Sequence, residues 1–447
     1  MRKKALLALL LVLSLVLSGC ALIKKDAAVD AARVIMSYGG RNITKSEVLV
    51  EANSQLQSMA YMYSLYGMSF DATDASNIQD AIDAAVEDLK EDLVLKAKID
   101  EKKIADQLTE DDLAEIQSGA QSSYDYAVSY AKTMVEDQTL EGDALEEAAK
   151  KILDERQVTL EDYAEDEKES KLKELLRADV IKDVTVSDDE VQAEYDSKVQ
   201  KDQETYAENA GSWASAANNG STLYYVPAGI RRVKQILIKF TDEDQSALDE
   251  ANSAVTTATS RVTAAQQIID GEDYSEEEKT QAQADLAAAQ ADLDAANQQV
   301  TDLTEKAYAD IDAAADEVLQ QLADGADWDT LMAEKTQDPG MQSGRATAET
   351  GYAVSADMTN FDSAFVEAAM ALQAIGDVSP KTRGSSNGYY IIRYVGDETE
   401  GPVALDRVKE DLHESLLSSK QDETYNTTVE EWITAANIKV DTNALKD

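Results

Sequence analysis

A seven-residue repeat in residues 244–307 constrains the fold of this 447-residue chain more than any other feature. Two blocks carry the repeat, separated by a short polar turn at 270–275. The apolar positions are Leu248, Val255, Val262 and Ile269 with Ala251, Ala258 and Ala265 between them, then Leu286, Leu293, Val300 and Ala307 with Ala289, Ala296 and Leu303 between them. Such heptads form coiled coils. The pattern therefore predicts an antiparallel coiled-coil hairpin whose alanines let the two helices approach closely.

The second arm of this hairpin runs on into a further helical pattern at Ile311, so we expect the hairpin to project stiffly from the domain that contains it. Two roles stay open for it. It is either a spacer or an arm that holds client proteins or a second copy of the chain.

A small α+β domain is predicted around the hairpin. A β-rich segment at 232–240 precedes it, and a second at 388–395 ends the domain. Between them lie three amphipathic helical patterns, the last around Phe365, and a loop at 337–340. The sequence thus predicts two strands that pair across a set of helices.

The first residues have the pattern of an export signal. Basic residues at 2–4 precede an apolar run at 5–16, and Leu-Ser-Gly-Cys ends at Cys20. This predicts a cleaved signal and no membrane-spanning helix. The ending resembles a lipobox, which implies that residues 1–19 are removed and that Cys20 is acylated, with 20–33 as a tether. The alternative is an ordinary signal peptide with a chance cysteine.

Composition excludes several classes of protein. Acidic residues outnumber basic ones by 88 to 41, for a formal net charge of −47. That charge argues against binding to nucleic acid or to anionic lipid. A hydrophobic content of 43% is enough for packed cores, and four prolines in a chain rich in Ala, Glu and Leu indicate a mostly helical protein. A single cysteine excludes an intramolecular disulfide.

The rest of the chain reads mostly as helices. A β-hairpin is predicted at 34–43, followed by a capping box at Thr44 and Glu47 that starts a helix. Further helices are predicted at 78–101, 110–137, 144–155, 162–181, 191–206 and 403–436, with a linker at 207–228 and a closing strand at 438–440. The segment 61–68 is rich in Tyr and Met. It is either core between helices or an adaptable apolar surface for unfolded chains.

The small domain resembles the parvulin family of peptidyl-prolyl cis-trans isomerases. The matching features are Val233 to Lys239, the Gly-Ala-Asp-Trp turn at Gly325, Gln337-Asp338, the Phe365 helix with Gly376, and Gly388 to Ile392. The order of domains resembles PrsA-type foldase lipoproteins and the related SurA chaperones. This resemblance implies an α+β fold. A mostly helical chaperone domain at 34–228 would be completed by 399–447, and a parvulin-like domain at 229–397 would carry the coiled coil.

The resemblance also implies a site. Parvulins share an apolar proline pocket and a polar cluster with two histidines and a Cys or Asp. The polar positions here are Gln235, Asp338 and Tyr390, with Gln235 and Tyr390 in place of the histidines. The pocket is Met358 and Phe365, with Met370 behind; Phe361 competes with Phe365, and Thr350 stands where an apolar pocket residue is usual. The only histidine, His413, is expected on the surface of the C-terminal helix.

The implied function is that of a lipid-anchored foldase on the extracytoplasmic face of the cell membrane. It would bind unfolded or newly exported polypeptides and isomerise X–Pro bonds. The alternative is a non-catalytic holdase whose parvulin domain only binds peptides, and a homodimer is a further possibility. No cofactor and no metal are expected, because the sequence lacks a zinc-binding set, a nucleophile–histidine pairing and a phosphate loop. The acidic turn at 270–273 lacks the spacing of a calcium site.

Overall fold

The computed structural model describes residues 27–137 and 139–445. The chain divides into two compact units. The first unit combines residues up to Val186 with those from Ser415 onward, and the second is Ser187–Glu414. The predicted signal, 1–19, and the predicted acylation site, Cys20, lie outside the described residues.

The elements of the first half are α1 (Ala27–Ala31), β1 (Val34–Tyr38), β2 (Arg41–Thr44), α2 (Lys45–Leu65), α3 (Ala75–Glu101), a 3₁₀ turn (Ile104–Gln107), α4 (Glu110–Lys132), α5 (Gly142–Glu155), α6 (Leu160–Ile181) and α7 (Asp188–Tyr206). Those of the second half are α8 (Ala210–Asn218), β3 (Tyr225–Val226), β4 (Arg231–Lys239), α9 (Asp242–Asp270), α10 (Glu276–Ala323), α11 (Trp328–Lys335), a 3₁₀ turn (Pro339–Met341), α12 (Ala346–Thr350), β5 (Tyr352–Val354), α13 (Ser363–Ala371), β6 (Thr382–Arg383), β7 (Gly388–Asp397), β8 (Gly401–Pro402), α14 (Leu405–Ala436) and α15 (Thr442–Leu445). The predicted α+β class, mostly helical, is confirmed.

The first unit is built from both chain ends, as predicted. Strands β1 and β2 pair antiparallel, and the Thr44 capping box starts α2, with the Thr44 N–H donating to Glu47 Oε2 at 2.8 Å. Buried side chains of the hairpin and of α3 form one core with Ala444 of α15. A second core joins α3 and α6 to Val429 of α14. The C-terminal segment is therefore part of this unit's interior.

The predicted strand at 438–440 is wrong. The Asp441 N–H donates to the Ile35 carbonyl of β1 at 2.9 Å, and α15 begins one residue later. Because α15 starts so soon, too little chain remains for a ladder. Ile438 and Val440 still pack on the hairpin core with their side chains.

The solvent exposure of residues 61–68, at the end of α2, decides between the two interpretations of this segment, core between helices or apolar surface. Its large side chains are exposed to solvent, with Tyr66 at 75% and Tyr61 at 65%. Met62, Leu65 and Met68 are also exposed. Packing between helices is therefore the wrong interpretation, and we call residues 61–68 the Tyr/Met surface below.

The second unit is organised on a four-stranded antiparallel sheet of order β5-β4-β7-β6. The central pair, β4 and β7, are the two strands predicted from sequence, and Gln235 lies opposite Ile392. Each face of the sheet carries its own core. Helix α10 and Trp328 of α11 cover one face, and α8 and α13 cover the other. Successive residues of β4 and β7 point alternately into these two cores.

The inserted coiled-coil hairpin is confirmed. Helices α9 and α10 run antiparallel through the predicted heptads, and the alanines of the d-type positions are buried, including Ala258, Ala265 and Ala289. Apart from Leu248, which is buried, the larger apolar residues of the heptads are only half-buried. Helix α10 continues without a break from the coiled coil onto the four-stranded sheet. Its 48 residues make it about 72 Å long, at about 1.5 Å per residue.

Residues 207–228, predicted as a linker, are partly helical and contribute to the core of the second unit. Trp213 of α8 is buried, and its Nε1–H donates to the Tyr225 carbonyl at 2.6 Å. Asn218 pairs with the backbone of Ala353 in both directions, at 2.7 and 2.8 Å. The second unit therefore begins at Ser187, although the predicted parvulin-like domain begins at 229. The compact units are defined by packing alone, so the boundaries predicted for the functional domains, 34–228 and 229–397, stay predictions.

Candidate functional site

The predicted polar positions lie on the α13 face of the sheet. Gln235 and Leu237 of β4 stand opposite Ile392 and Tyr390 of β7, so all four side chains share that face. Gln235 is a polar residue in a strand whose neighbours at Val233 and Leu237 are core. It is 7% exposed, and a buried amide of this kind requires hydrogen-bond partners.

The loop after α11 supplies the partner of Gln235. The Gln337 N–H donates to the Leu237 carbonyl at 2.9 Å, and the Lys239 N–H donates to Gln337 Oε1 at 2.7 Å. These bonds fix the loop along β4 and bring Asp338 over Gln235. Gln235 Nε2 then donates to Asp338 Oδ2 at 2.5 Å. The structure thus brings together two of the three residues predicted as catalytic.

The Asp338 carboxylate accepts two further hydrogen bonds. The Gly340 N–H donates to Oδ1 at 2.9 Å, which closes the loop, and the Tyr352 hydroxyl donates to Oδ1 at 3.2 Å. Burial, together with the negative charge of Asp338, raises the pKa of Tyr352 far above its usual value, so this hydroxyl stays a donor at neutral pH. Tyr352 was not identified from the sequence. Its position directly after Gly351 was the only signal.

One atom of the pair has no partner. Among the described residues, none donates a hydrogen bond to Gln235 Oε1, although the atom is buried. Leaving a buried acceptor unsatisfied costs about 1–3 kcal/mol. The site therefore contains a buried acceptor that no described residue satisfies.

The apolar part of the site is a row of four aromatic rings. Ring centroids lie 5.2 Å apart from Tyr352 to Phe361, 5.5 Å from Phe361 to Phe365, and 5.4 Å from Phe365 to Tyr390. All three contacts are edge-to-face, a favoured geometry for aromatic pairs. Tyr352 thus joins the Asp338 carboxylate to the aromatic row.

Met358 and Phe365 belong to one buried cluster, and Met370 packs against it. The structure therefore brings the three predicted pocket residues together, and their role in binding substrate stays a prediction. Phe365 is 2% exposed, whereas Phe361 and Tyr352 are half-buried. Because only exposed surface can contact a ligand directly, Phe361 is the better placed of the two competing phenylalanines. Thr350 bonds to the Ala346 carbonyl at 3.0 Å and is exposed.

Tyr390 differs from the expected three-residue cluster. Its hydroxyl lies 3.0 Å from Asn387 Oδ1 and 3.3 Å from Asp362 Oδ2, and no hydrogen bond joins it to Asp338. The Tyr390 hydroxyl lies away from Asp338 because the ring extends from β7 past the core to the turn before that strand. Burial raises the pKa of Tyr390 to about 12. Asp362 and Asn387 are functional candidates that sequence reasoning missed.

Helix α13 is held at both ends. At its start, Asp362 Oδ1 accepts from the Ala364 N–H at 2.9 Å as an N-cap. Burial acts to raise the pKa of Asp362, and hydrogen bonds from Ser385 outweigh it, so the pKa is lowered. At the end of the helix, the Arg231 guanidinium donates to three carbonyls, those of Ala369, Met370 and Leu372, at 2.7–3.1 Å. These contacts fix the helix that carries Phe365.

Other chemistry has no support in the described residues. Within 27–137 and 139–445, no three or more His, Cys, Asp or Glu side chains are grouped so as to hold a metal ion. None of the helices in that part of the chain has the length and apolar character of a membrane span. His413 lines a surface groove of α14 with Asp406, Lys409 and Glu410, outside the aromatic row.

No family model matches the chain. Over 127 residues, 28% of this chain, it is 35% identical to foldase protein PrsA of Clostridium botulinum (strain Hall), of which the match covers 36%. Foldase protein PrsA of Clostridium kluyveri is 30% identical over 124 residues, which are 28% of this chain and 35% of that protein. The chain therefore matches about a third of the length of these curated relatives.

Among solved structures, the crystal structure of foldase protein PrsA from Streptococcus pneumoniae aligns with 92% of this chain and 97% of its own, at 15% identity and a TM-score of 0.24. A TM-score this low supports no argument about the present chain. The predicted similarity to PrsA-type foldases is confirmed by the sequence matches.

Proposed function

We propose that this protein is a membrane-anchored, extracytoplasmic folding factor whose parvulin-like domain isomerises X–Pro bonds in unfolded, newly exported polypeptides. The similarity to foldase protein PrsA supports it. The main structural support for isomerisation is the following arrangement of side chains. The buried Gln235–Asp338 pair borders a row of aromatic rings, and Tyr352 joins the two through its hydroxyl and its ring.

Isomerisation needs no covalent chemistry. Rotation about the X–Pro bond breaks amide resonance, which gives a barrier of about 18–20 kcal/mol. The twisted amide has a less polar carbonyl than either planar form. A site that removes water and supplies apolar walls therefore binds the twisted form better, and this lowers the barrier. Phe361 would supply such a wall to a proline ring, with Met358 buried behind it.

Replacement of both family histidines is compatible with this mechanism, because no proton has to be transferred. Gln235 donates to Asp338 through Nε2 and keeps Oε1 as a buried acceptor.

Magnetisation-exchange NMR tests this proposal. The soluble chain beginning at Ala21 is added to a panel of short Ala-Pro peptides, and cis–trans exchange is measured. We expect exchange to speed up with the wild type and to slow at least fivefold in Phe361→Ala. The control is Tyr274→Ala, which removes an exposed ring from the tip of the coiled coil. Unchanged exchange with wild-type protein would refute isomerase activity.

The Tyr/Met surface favours a second candidate function, that of a holdase. Between Ala52 and Phe70 the chain carries no charged residue, and the large side chains of residues 61–68 are exposed. Tyr and Met pack adaptably against varied apolar partners. An unfolded polypeptide would bind there through its own apolar segments.

A holdase role is tested by light scattering from reduced, aggregating α-lactalbumin. We expect the wild type to suppress aggregation, and the double variant Tyr61→Ser/Tyr66→Ser to suppress it at least threefold less. The matched control is Tyr126→Ser, at a 76% exposed tyrosine of α4. Equal loss in the control would mean that any exposed tyrosine matters, which contradicts a defined surface.

Attachment to the membrane through Cys20 belongs to the same proposal. Its support is the lipobox-like Leu-Ser-Gly-Cys at the end of the apolar run. In cells expressing the full chain, we expect labelled palmitate to enter the wild type and not Cys20→Ser, and we expect the variant to leave the membrane fraction. Equal labelling of both would show that Cys20 is not acylated.

A further inference from the structure

The turn between β6 and β7, residues 384–387, is attached on one side to the root of the coiled-coil arm. The Tyr308 hydroxyl of α10 donates to the Gly384 carbonyl, and Tyr308 is buried. The Arg383 guanidinium lies over the Tyr308 ring, 4.5 Å from its centroid, and donates to Glu305 Oε1 at 2.8 Å. One helix turn of α10 therefore holds this end of the β6–β7 turn.

On its other side, the same turn holds the candidate site. The Ser385 N–H donates to Asp362 Oδ2 at 2.5 Å, and the Ser385 hydroxyl donates to Oδ1 at 2.9 Å. Asp362 is the N-cap of α13. The Tyr390 hydroxyl reaches both Asp362 and Asn387 of the turn. A displacement of the turn would thus move the start of the helix that carries Phe365.

We propose that Tyr308 and Arg383 are positioning residues for the proline pocket, acting through the β6–β7 turn and Asp362. Neither residue belongs to the aromatic row. Each link from Tyr308 to Gly384, from Ser385 to Asp362, and from Asp362 to Tyr390 is a single hydrogen-bonded step. The part that concerns peptide affinity rests on the proposed function.

The helix that carries Tyr308 is well suited to transmit displacement. From Glu276 to Ala323, α10 contains neither glycine nor proline, the usual causes of kinks. Its first part packs against α9 in the coiled coil, and its last part packs on the sheet through Ile311 and Val318. A displacement of the coiled-coil arm would therefore be transmitted to Tyr308, because no flexible joint lies between them.

A matched pair of variants tests this inference in the chain beginning at Ala21. Tyr308→Phe removes the bond to the Gly384 carbonyl and keeps the ring. Tyr389→Phe is the control, because its hydroxyl also bonds to α10, at 3.0 Å from Asp312, on the same face of the sheet as Tyr308, and makes no bond to the turn. Each variant loses one tyrosine hydroxyl from the contact between α10 and the strands, and only the Tyr308 hydroxyl bonds to the turn.

The first readout needs no peptide. The backbone amides of Ser385 and Ala364 both donate to Asp362, so their ¹H chemical shifts report the state of this link. We expect both amide resonances to move upfield in Tyr308→Phe and to stay in place in Tyr389→Phe. Amides that stay in place in Tyr308→Phe, with similar thermal destabilisation of both variants, would overturn the proposal and make Tyr308 a simple anchor of the arm.

The second readout is the affinity for an Ala-Pro peptide. We expect Tyr308→Phe to weaken it about fivefold or more, in the range of ordinary coupling between sites, and Tyr389→Phe to change it less than twofold. Equal weakening in both variants would overturn the positioning role. If no peptide binds the wild type, the proposed function fails, and the amide shifts still decide whether Tyr308 positions Asp362.

Discussion

At the scale of single residues, Asp338 is the group on which the candidate site depends. Its carboxylate accepts from Gln235, Tyr352 and the backbone of Gly340, and so joins β4, β5 and the loop. A small number of hydrogen bonds to one buried carboxylate thus holds two strands and a loop together.

Asp338→Ala should therefore lower the free energy of unfolding by about 1–3 kcal/mol, since it leaves buried donors without an acceptor. Urea denaturation measures the loss. The control is Asp329→Ala. Its carboxylate is 62% exposed and forms an ion pair with Lys234. Ion pairs at the surface contribute only about 0–1 kcal/mol to stability. A loss no greater than in the control would contradict the role given to Asp338.

Tyr390 gives the molecule a specific response to alkali. Burial raises its pKa in the folded state to about 12, above the ordinary value of 10.0, so the neutral phenol is favoured by folding. The stability that results is complete below about pH 10 and is lost as the pH rises through about 12. We expect the advantage of the wild type over Tyr390→Phe in free energy of unfolding to shrink across this range. Parallel curves would contradict the prediction.

Two of the three residues predicted for the polar cluster, Gln235 and Asp338, are paired in the structure. Gln235 and Asp338 could be paired because a strand and the loop beside it are brought together by the fold that the resemblance implies. The partners of Tyr390 could not be predicted in this way. Strand register determines where its backbone lies, whereas the position of a hydroxyl at the far end of a ring depends on Asn387 and Asp362, which belong to other segments.

At the scale of elements, the coiled coil depends on alanine. Ala265 is 5% exposed and faces α10, whereas its neighbour Ala264 is exposed. A larger side chain at Ala265 would force the two helices apart. The same substitution at Ala264 would extend into solvent.

Ala265→Leu should therefore cost about 1–3 kcal/mol through overpacking, and Ala264→Leu close to nothing. Thermal melting followed by circular dichroism compares them, and both variants keep a good helix former at adjacent positions of one helix. Equal melting temperatures would mean that α9 and α10 are not packed closely through alanine.

Elements were predicted well where their signals are local. The heptads of α9 and α10 and the capping box at Thr44 specify their structures with neighbouring residues only. The segment 207–228 was wrongly predicted as a linker because its glycines and asparagines are typical of loops, while the burial of Trp213 depends on strands far along the chain. The prediction of a strand at 438–440 failed for a related reason, because a strand needs a partner strand and the local sequence pattern does not show whether one is present.

At the scale of the whole molecule, the formal net charge of −47 dominates the electrostatics. Like charges repel one another over the surface and destabilise the compact state. Salt shortens the reach of this repulsion, from a Debye length of about 10 Å at about 0.1 M to about 3 Å at about 1 M.

The melting temperature should therefore rise when sodium chloride is increased from about 0.02 to about 0.5 M, over the range in which screening becomes effective. Differential scanning calorimetry measures it, and sucrose of equal osmolality is the control for effects unrelated to charge. A melting temperature that falls with salt would show that attraction within ion pairs outweighs the net repulsion.

The uninterrupted α10 also restricts how the arm can change in length during evolution. Seven residues make nearly two full turns, with a mismatch of about 20°, so removing one heptad from each arm leaves the alanine seam aligned and Tyr308 facing the β6–β7 turn. Removal of three or five residues would rotate the seam away from the other arm. Natural variants of this hairpin should therefore differ by multiples of seven residues per arm, with the short turn at 271–275 carried unchanged to each new tip.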